Sequence, residues 1–359
     1  MKNFMYRRAG VTIPLRLAVP AIGIALGLVI VGSAAAQGKR AARNAHPGYS
    51  RRVYGIDRPT ARDHRLVILG TQGDDRIGLR LEAGRPDVLE IDEGDDGSAE
   101  FNVHLRPVDS ILVDGRGGGD AIRIDETNGA FTNRIPTTIA GGEGSDRLTG
   151  GTGAELILGG AGDDSVDGNG GNDLVDLGSG DDRFVWDPGD GSDSIEGGDG
   201  ADAMVFNGAG AAEKVTLSAN GDRLKFVRDL GTITMDTHSV ESVDFNALGG
   251  ADLVTVNDLA GTGVTGVRVD LGAALGIAGP DGTDDRGVVN GTDGNDSITV
   301  DGDAGGIKES GLAASVTIVN ADALQDRLEV NTLAGRDRVD SAGLAPGAIQ
   351  LSVNGVPTL

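Results

Sequence analysis

The 359-residue sequence contains no cysteine, which excludes both a disulfide framework and a thiolate metal site. Aromatic residues are only 3% of the chain, too few for a platform on which bases could stack. Positive charge is scarce as well. Thirty-one Lys and Arg face 55 Asp and Glu, and a net charge of -24 repels a phosphate backbone instead of releasing its counterions, so nucleic acid is excluded as a partner. Glutamate is rare beside aspartate, 12 against 43. Because Glu favours helix while Asp favours turns and short-range ligation, very little helix is expected. Glycine, by contrast, is abundant at 61 residues, but without a Gly-X-Y period or a proline excess it does not signal collagen. With 38% hydrophobic residues the chain can bury a core, arranged as two or three domains or as one repeat domain.

The one long apolar run, Leu17 to Ala36, follows Lys2, Arg7, Arg8 and Arg16 and ends in small residues before Gln37. It reads as an export signal over residues 1–36, cleaved after an Ala34-x-Ala36 pattern, with an uncleaved anchor as the alternative. Residues 37–62, rich in Arg with Gly and Pro, read as a flexible basic linker.

From Gly141 the sequence falls into nine-residue units: GGEGSDRLT, GGTGAELIL, GGAGDDSVD, GNGGNDLVD and LGSGDDRFV. After an insertion, Trp186-Asp187, it resumes as PGDGSDSIE and GGDGADAMV. Position four is Gly in every unit, position six is Asp146, Glu155, Asp164, Asp173, Asp182, Asp193 and Asp202, and position eight is always apolar. Six residues of turn and three of strand, taken twice, make an 18-residue coil with one inward side chain per unit. Such a strand cannot fold alone, but stacking buries a continuous column. Same-edge turns then meet in five gaps, 146/164, 155/173, 164/182, 173/193 and 182/202, the last two shifted in register by the insertion. Residues 141–206 hold 16 acidic groups against Arg147 and Arg183, so an ordered stack without cations would repel itself. Rungs about 4.8 Å apart suit Ca²⁺, which binds oxygen at about 2.3–2.6 Å and would touch both turns. Folding of this segment is expected to need metal for part of that neutralisation.

The array resembles the hemolysin-type, or RTX, calcium-binding repeat family, whose consensus is GGxGxDxUx, departing from it at Glu155, Asn169, Leu177 and Pro188. The resemblance implies a parallel β-roll with Ca²⁺ held between turns by the carboxylates of Asp146, Asp164, Asp173, Asp182, Asp193 and Asp202. It also implies ligation by turn carbonyls, here those of Gly141, Glu143 and Gly144, of Gly159, Ala161 and Gly162, of Gly168, Gly170 and Gly171, and of Ser179 and Gly180. Many relatives leave the cell through a carboxy-terminal signal, whereas this chain shows an amino-terminal one.

Single units echo the motif at Asp75, Asp120, Asp252, Asp296 and Asp337, 41 to 45 residues apart within each flank. Taken singly they read as plain β-turns, because a lone turn lacks a stacked Asp partner, with calcium binding at each as the alternative. The stretch from Asn246 to Val254 reads against Asn331 to Val339 as an internal duplication. Alternating segments such as Lys214–Leu217, Arg223–Val227, Val240–Phe245, Val264–Val269 and Ser315–Val319 read as strands. The flanks are therefore expected to be all-β, as an irregular solenoid or as sandwich-like layers.

No catalytic signature emerges. His46, His64, His104 and His238 form no H-E-x-x-H, and neither G-x-S-x-G nor a phosphate-binding G-x-x-x-x-G-K-[ST] occurs. The sequence thus reads as an all-β protein: a parallel β-roll or solenoid of glycine- and aspartate-rich nonapeptides over 136–206, between irregular β-rich segments at 63–135 and 207–359. Its expected function is exported, non-catalytic calcium binding, as a structural or adhesion element at or beyond the cell surface. Its partners would be several calcium ions and a surface glycan or protein, with no membrane contact after signal cleavage. The alternative is a calcium-stabilised lyase or epimerase acting on extracellular polysaccharide.

Overall fold

The structure is a computed structural model, and it describes residues 57–358. The signal reading and most of the linker reading lie outside these residues. Within the array, strands alternate between two sheets. Thr137–Glu143, Leu156–Ala161, Leu174–Ser179 and Ser194–Asp199 stack in parallel in one; Arg147–Thr149, Ser165–Asp167, Arg183–Trp186 and Ala203–Asn207 stack in the other. Register follows the repeat. Ile139 pairs with Ile157, Ile157 with Val175 and Val175 with Ile195 across the first sheet. Leu148, Val166, Phe184 and Met204 align across the second. All of these side chains are buried, so the inward column expected at position eight is present. Both ladders are parallel because every unit repeats the same turn, and each strand therefore re-enters its sheet in the same direction.

The flanks continue the same stack. Upstream, Arg65–Leu69 and Ser110–Gly117 join the first sheet while Arg76–Glu82 and Ala121–Asp125 join the second. Downstream, Leu253–Val256, Arg286–Asn290, Arg327–Asn331 and Gln350–Val353 extend the first sheet, and Ser242–Asn246, Gly266–Asp270 and Ser315–Val319 the second. The solenoid is thus continuous across the described residues, with no sandwich layer. The only helical element among them is a short 3₁₀ turn, Leu230–Thr232.

What lengthens the flanking repeats is inserted antiparallel β-structure. Arg85–Glu93 and Phe101–His104 add beyond Arg76–Glu82 and account for the 45-residue step from Asp75 to Asp120. Lys214–Asn220 and Arg223–Arg228 pair with each other, and the latter with Ile233–His238. Ser297–Asp303 and Gly306–Ser310 do the same beside Ser315–Val319. Each of these hairpins closes on a Gly-containing turn, such as Gly221 at φ 74°, where a residue with a Cβ would be strained. One boundary needs correction: Asp57–Arg62, read as the end of a flexible linker, is a strand paired antiparallel with Arg65–Leu69.

One hydrophobic core runs through the stack. Its aromatic side chains gather where the regular array gives way to the first downstream hairpin. Trp186 and Phe206 stack with ring centroids 3.9 Å apart, and Phe226 and Phe245 tilt against Phe206. The Trp186-Asp187 insertion therefore widens a coil by bringing in a large core side chain. The Trp186 indole N–H donates to the Gly191 carbonyl at 2.8 Å.

Candidate metal centre: carboxylate ladders at both edges

Every sixth-position residue closes the turn between two strands, and each sixth-position Asp folds its carboxylate under the turn of the preceding coil. On the edge that carries Asp146 the bonds repeat without a break. The backbone N–H of Asp146 donates to Asp164 Oδ1 at 2.8 Å, that of Asp164 to Asp182 at 2.7 Å, and that of Asp182 to Asp202 at 2.9 Å. On the opposite edge Glu155 N–H donates to Asp173 and Asp173 N–H to Asp193, both at 2.8 Å. All five gaps read from the sequence are therefore bridged. The register shift expected from Trp186-Asp187 does not occur, because the extra residues sit within the connection, while Val175 still pairs with Ile195 and Phe184 with Met204.

In the units of the Asp146 edge, glycine makes the turn possible at two places. Gly160 and Gly162 have φ of 122° and 118°, a region in which a side chain is strained. A Cβ on Gly160 would also collide with the Gly142 carbonyl oxygen, and one on Gly162 with that of Gly144, so these positions allow consecutive turns to lie against one another. The same collision awaits a side chain on Gly144, Gly171 or Gly180. At position one, a Cβ on Gly141 would run into both the Asp146 carboxylate and the Gly159 carbonyl, and one on Gly168 into the Asp173 carboxylate. Carboxylate and carbonyl oxygens thus crowd the same side of the turn. The position-three carbonyls of Glu143, Ala161 and Ser179 accept from the N–H of Gly118, Gly144 and Gly162, and each carbonyl oxygen has a second lone pair. Gly170 is half-buried beside Thr152, away from these contacts.

Each ladder carboxylate uses one oxygen and strands the other. Asp146, Asp164, Asp173, Asp182, Asp193 and Asp202 are all at most 3% exposed, and the Oδ2 of every one is buried without a hydrogen-bond partner. Burial raises their affinity for protons against the opposing effect of the donated backbone bond. Asp164 is pushed up to about 7, Asp173 to about 8, and Asp182 and Asp193 to about 6; Asp146 and Asp202 are also raised. Neighbouring rungs add to this, since Asp146 and Asp182 flank Asp164 with like charge. Stranded oxygens of this kind need a proton or a cation. Among the described residues no three acidic or His side chains gather into one cluster, so backbone carbonyls must supply the remaining ligands of any metal. Such an all-oxygen, mixed carboxylate and carbonyl donor set fits Ca²⁺.

Glu155 departs from the pattern. Its longer side chain turns back so that Oε2 accepts from the Gly151 N–H of its own turn at 2.8 Å, and Oε1 is left buried and unpartnered. Above it, Glu126 takes the Thr152 N–H and hydroxyl, closing this end of the ladder with protein donors.

Several members of the ladders are illegible in the repeat consensus. Asp75 N–H donates to Asp120 Oδ1 and Asp120 N–H to Asp146 Oδ1, so these turns are stacked, not solitary. Asp120 is pushed up to about 7 by burial, like its neighbours in the array. Glu241 accepts from Asp202 N–H, and Asp337 from Asp296 N–H. On the opposite edge a second ladder runs Glu213, Asp252, Asp285 and Asp326. The turn of Asp252 and that of Asp337 consequently lie on opposite edges, which overturns an equivalence of the two through simple duplication. A weaker signal could have found most of these residues: an acidic residue two positions before a buried apolar one, as in Glu213 and Val215, Glu241 and Val243, or Asp326 and Leu328. Position five was also missed. Asp163 and Asp181 are exposed and accept from the N–H groups of Asp181 and Ala201, a ladder running in the opposite sense along the rim.

No curated protein matches this chain. The family model of the RTX calcium-binding nonapeptide repeat does, with four copies matched over residues 137–164, 149–184 and 189–208. These residues contain the Asp146 ladder from Asp146 to Asp202 and the whole of the Glu155 ladder. Residues 137–208 thus carry nonapeptide repeats that match the RTX calcium-binding repeat.

Proposed function

We propose that this protein is exported and works outside the cell as a non-catalytic structural or adhesion element whose solenoid is rigidified by calcium. The observation that carries the reading is the row of buried, unpartnered carboxylate oxygens from Asp120 to Asp202 along one edge. Bound calcium would supply the positive charge and the further oxygen coordination that these groups lack. The chain's own contribution is positional. Backbone N–H groups fix one oxygen of each carboxylate, glycine lets the turns close on one another, and the inward column holds successive coils in register. Folding and cation uptake are then linked, because the carboxylates meet only when coils stack. Extracellular sites work at about 10⁻⁴ to 10⁻³ M calcium, which suits an element that orders after export.

Calcium titration of the protein, followed by circular dichroism and calorimetry alongside Asp164→Ala, tests this. A β signal that grows with calcium and weakens in the variant supports the reading; an unchanged spectrum with no binding heat refutes it. Export is tested by the amino terminus of the protein recovered from the medium, expected at Gln37. Turnover of a soluble extracellular polysaccharide, lost on replacing one exposed carboxylate, would substitute the lyase or epimerase alternative.

A further inference from the structure

The second ladder, Glu213 to Asp326, lies beyond the matched repeats, and its four members are not alike. At one end Glu213 is neutralised internally: its Oε1 receives the guanidinium of Arg228, both residues are buried, and Arg228 lies over the Trp186 ring 5.2 Å from its centroid. At the other end Asp326 is satisfied by backbone donors, Asp285 N–H on Oδ1 and Asp322 N–H on Oδ2. Between them Asp252 and Asp285, each 2% exposed, have one oxygen bonded to a backbone N–H and the other buried without a partner. No basic residue occurs in the turn 247–252 or in the connection 271–285. A third carboxylate, Asp281, accepts from the Thr283 N–H at 2.8 Å, and the Thr283 hydroxyl, with one proton to donate, lies 2.7 Å from Asp281 Oδ2 and 2.8 Å from the Gly250 carbonyl of the other turn.

We propose that Asp252 and Asp285 hold a calcium ion between these two turns, a site outside the matched repeats in which the Asp285 turn has neither of the key repeat glycines. The donors are carboxylate and backbone carbonyl oxygens, which favour a hard cation of flexible coordination. Asp281 adds negative charge at the entrance. Charge balance along the ladder then has three solutions in sequence: an arginine at Glu213, a cation at Asp252 and Asp285, and backbone donors at Asp326. The site lies beyond the repeat match, and its Asp285 turn has Pro280 and Thr283 where the repeat has its first- and fourth-position glycines, while the Asp252 turn keeps Gly250 at the fourth.

The test is calcium stoichiometry of the full chain by equilibrium dialysis, comparing wild type with Asp252→Asn/Asp285→Asn and with Asp326→Asn. Asparagine keeps a side-chain oxygen for the ladder N–H groups while removing charge. The double variant is expected to bind one ion fewer, and Asp326→Asn the same number as wild type. An unchanged count in a folded double variant overturns the proposal, as does an equal loss in Asp326→Asn, which would trace the effect to general destabilisation. Loss of ions in Asp164→Asn/Asp182→Asn without loss in the double variant would leave the reading of the array standing and remove this site alone. Should the double variant not fold, hydrogen exchange of wild type decides. Calcium is expected to slow the Asp252 and Asp285 amides at least about tenfold more than the Asp296 amide, and equal slowing refutes the site.

Discussion

Calcium uptake at neutral pH should expel protons, and the structure sets the number. Burial raises Asp120, Asp164 and Glu155 to about 7, Asp173 to about 8, and Asp182 and Asp193 to about 6. In the metal-free fold at about pH 7, the first three are half protonated, Asp173 is about nine-tenths protonated and the last two about one-tenth. A cation favours the charged form of all six, so filling the sites at these six groups at about pH 7 releases on the order of two to three protons, to which the proposed site at Asp252 and Asp285, raised to about 8 and about 7, would add on the order of one. By about pH 9 these carboxylates are ionised already and the release falls to about a tenth of a proton. Isothermal titration calorimetry in buffers of different ionisation enthalpy reads the number directly. Asp173→Asn should remove the largest single share. Buffer-independent heat at pH 7 would refute the argument, because it would mean that the buried carboxylates are charged before the metal arrives.

The same shifts fix how stability responds to pH. A carboxylate whose folded value lies above its unfolded one binds protons more tightly when folded, so stability of the metal-free protein is greatest below about pH 4 and falls as pH rises to about 8. Calcium should reverse that trend at neutral pH.

Gly160→Ala places a side chain at φ 122° and against the Gly142 carbonyl, and should cost at least about 1–3 kcal/mol in urea unfolding, whereas Asn169→Gly should stay within about 0.5 kcal/mol. An Ala variant as stable as wild type would show that the turns can separate. Arg228→Met strands the Glu213 carboxylate and is expected to destabilise by about 3–5 kcal/mol, a loss that Glu213→Leu in the same chain should largely restore. Glu309 is buried with both oxygens unpartnered and is raised to about 7 by burial. Glu309→Leu should therefore raise the thermal midpoint, and by more at about pH 8 than at about pH 5; a gap that narrows with rising pH would contradict this.

The strand positions of the array were readable because one period governs everything there: the same glycines, acid and apolar residue return every nine residues, and Leu148, Ile157 and Val166 announce the inward face. In the flanks that period is broken by inserted strands such as Arg85–Glu93 and Phe101–His104, so Asp75 and Asp120 look solitary in the sequence although they stack. Asp285 is hidden more deeply. Its turn has neither of the key glycines, and the residue two places on is Gly287 instead of a large apolar side chain. Residues on the two edges of a coil are also indistinguishable by sequence once coil length varies, which is why the segments around Asp252 and Asp337 look duplicated while occupying opposite edges.

By itself, then, the sequence determined the coil, the inward column, the acidic edge of residues 141–206 and the cation those residues call for, since each follows from local spacing and charge. Tertiary structure alone decided which acids of the flanks are stacked, because their ladder bonds join residues 26 to 45 positions apart and depend on where inserted strands are accommodated. It also decided how each buried carboxylate is balanced. Arg228 reaches Glu213 only through the hairpin that carries it, while Asp252 and Asp285 are left with oxygens that no protein group satisfies.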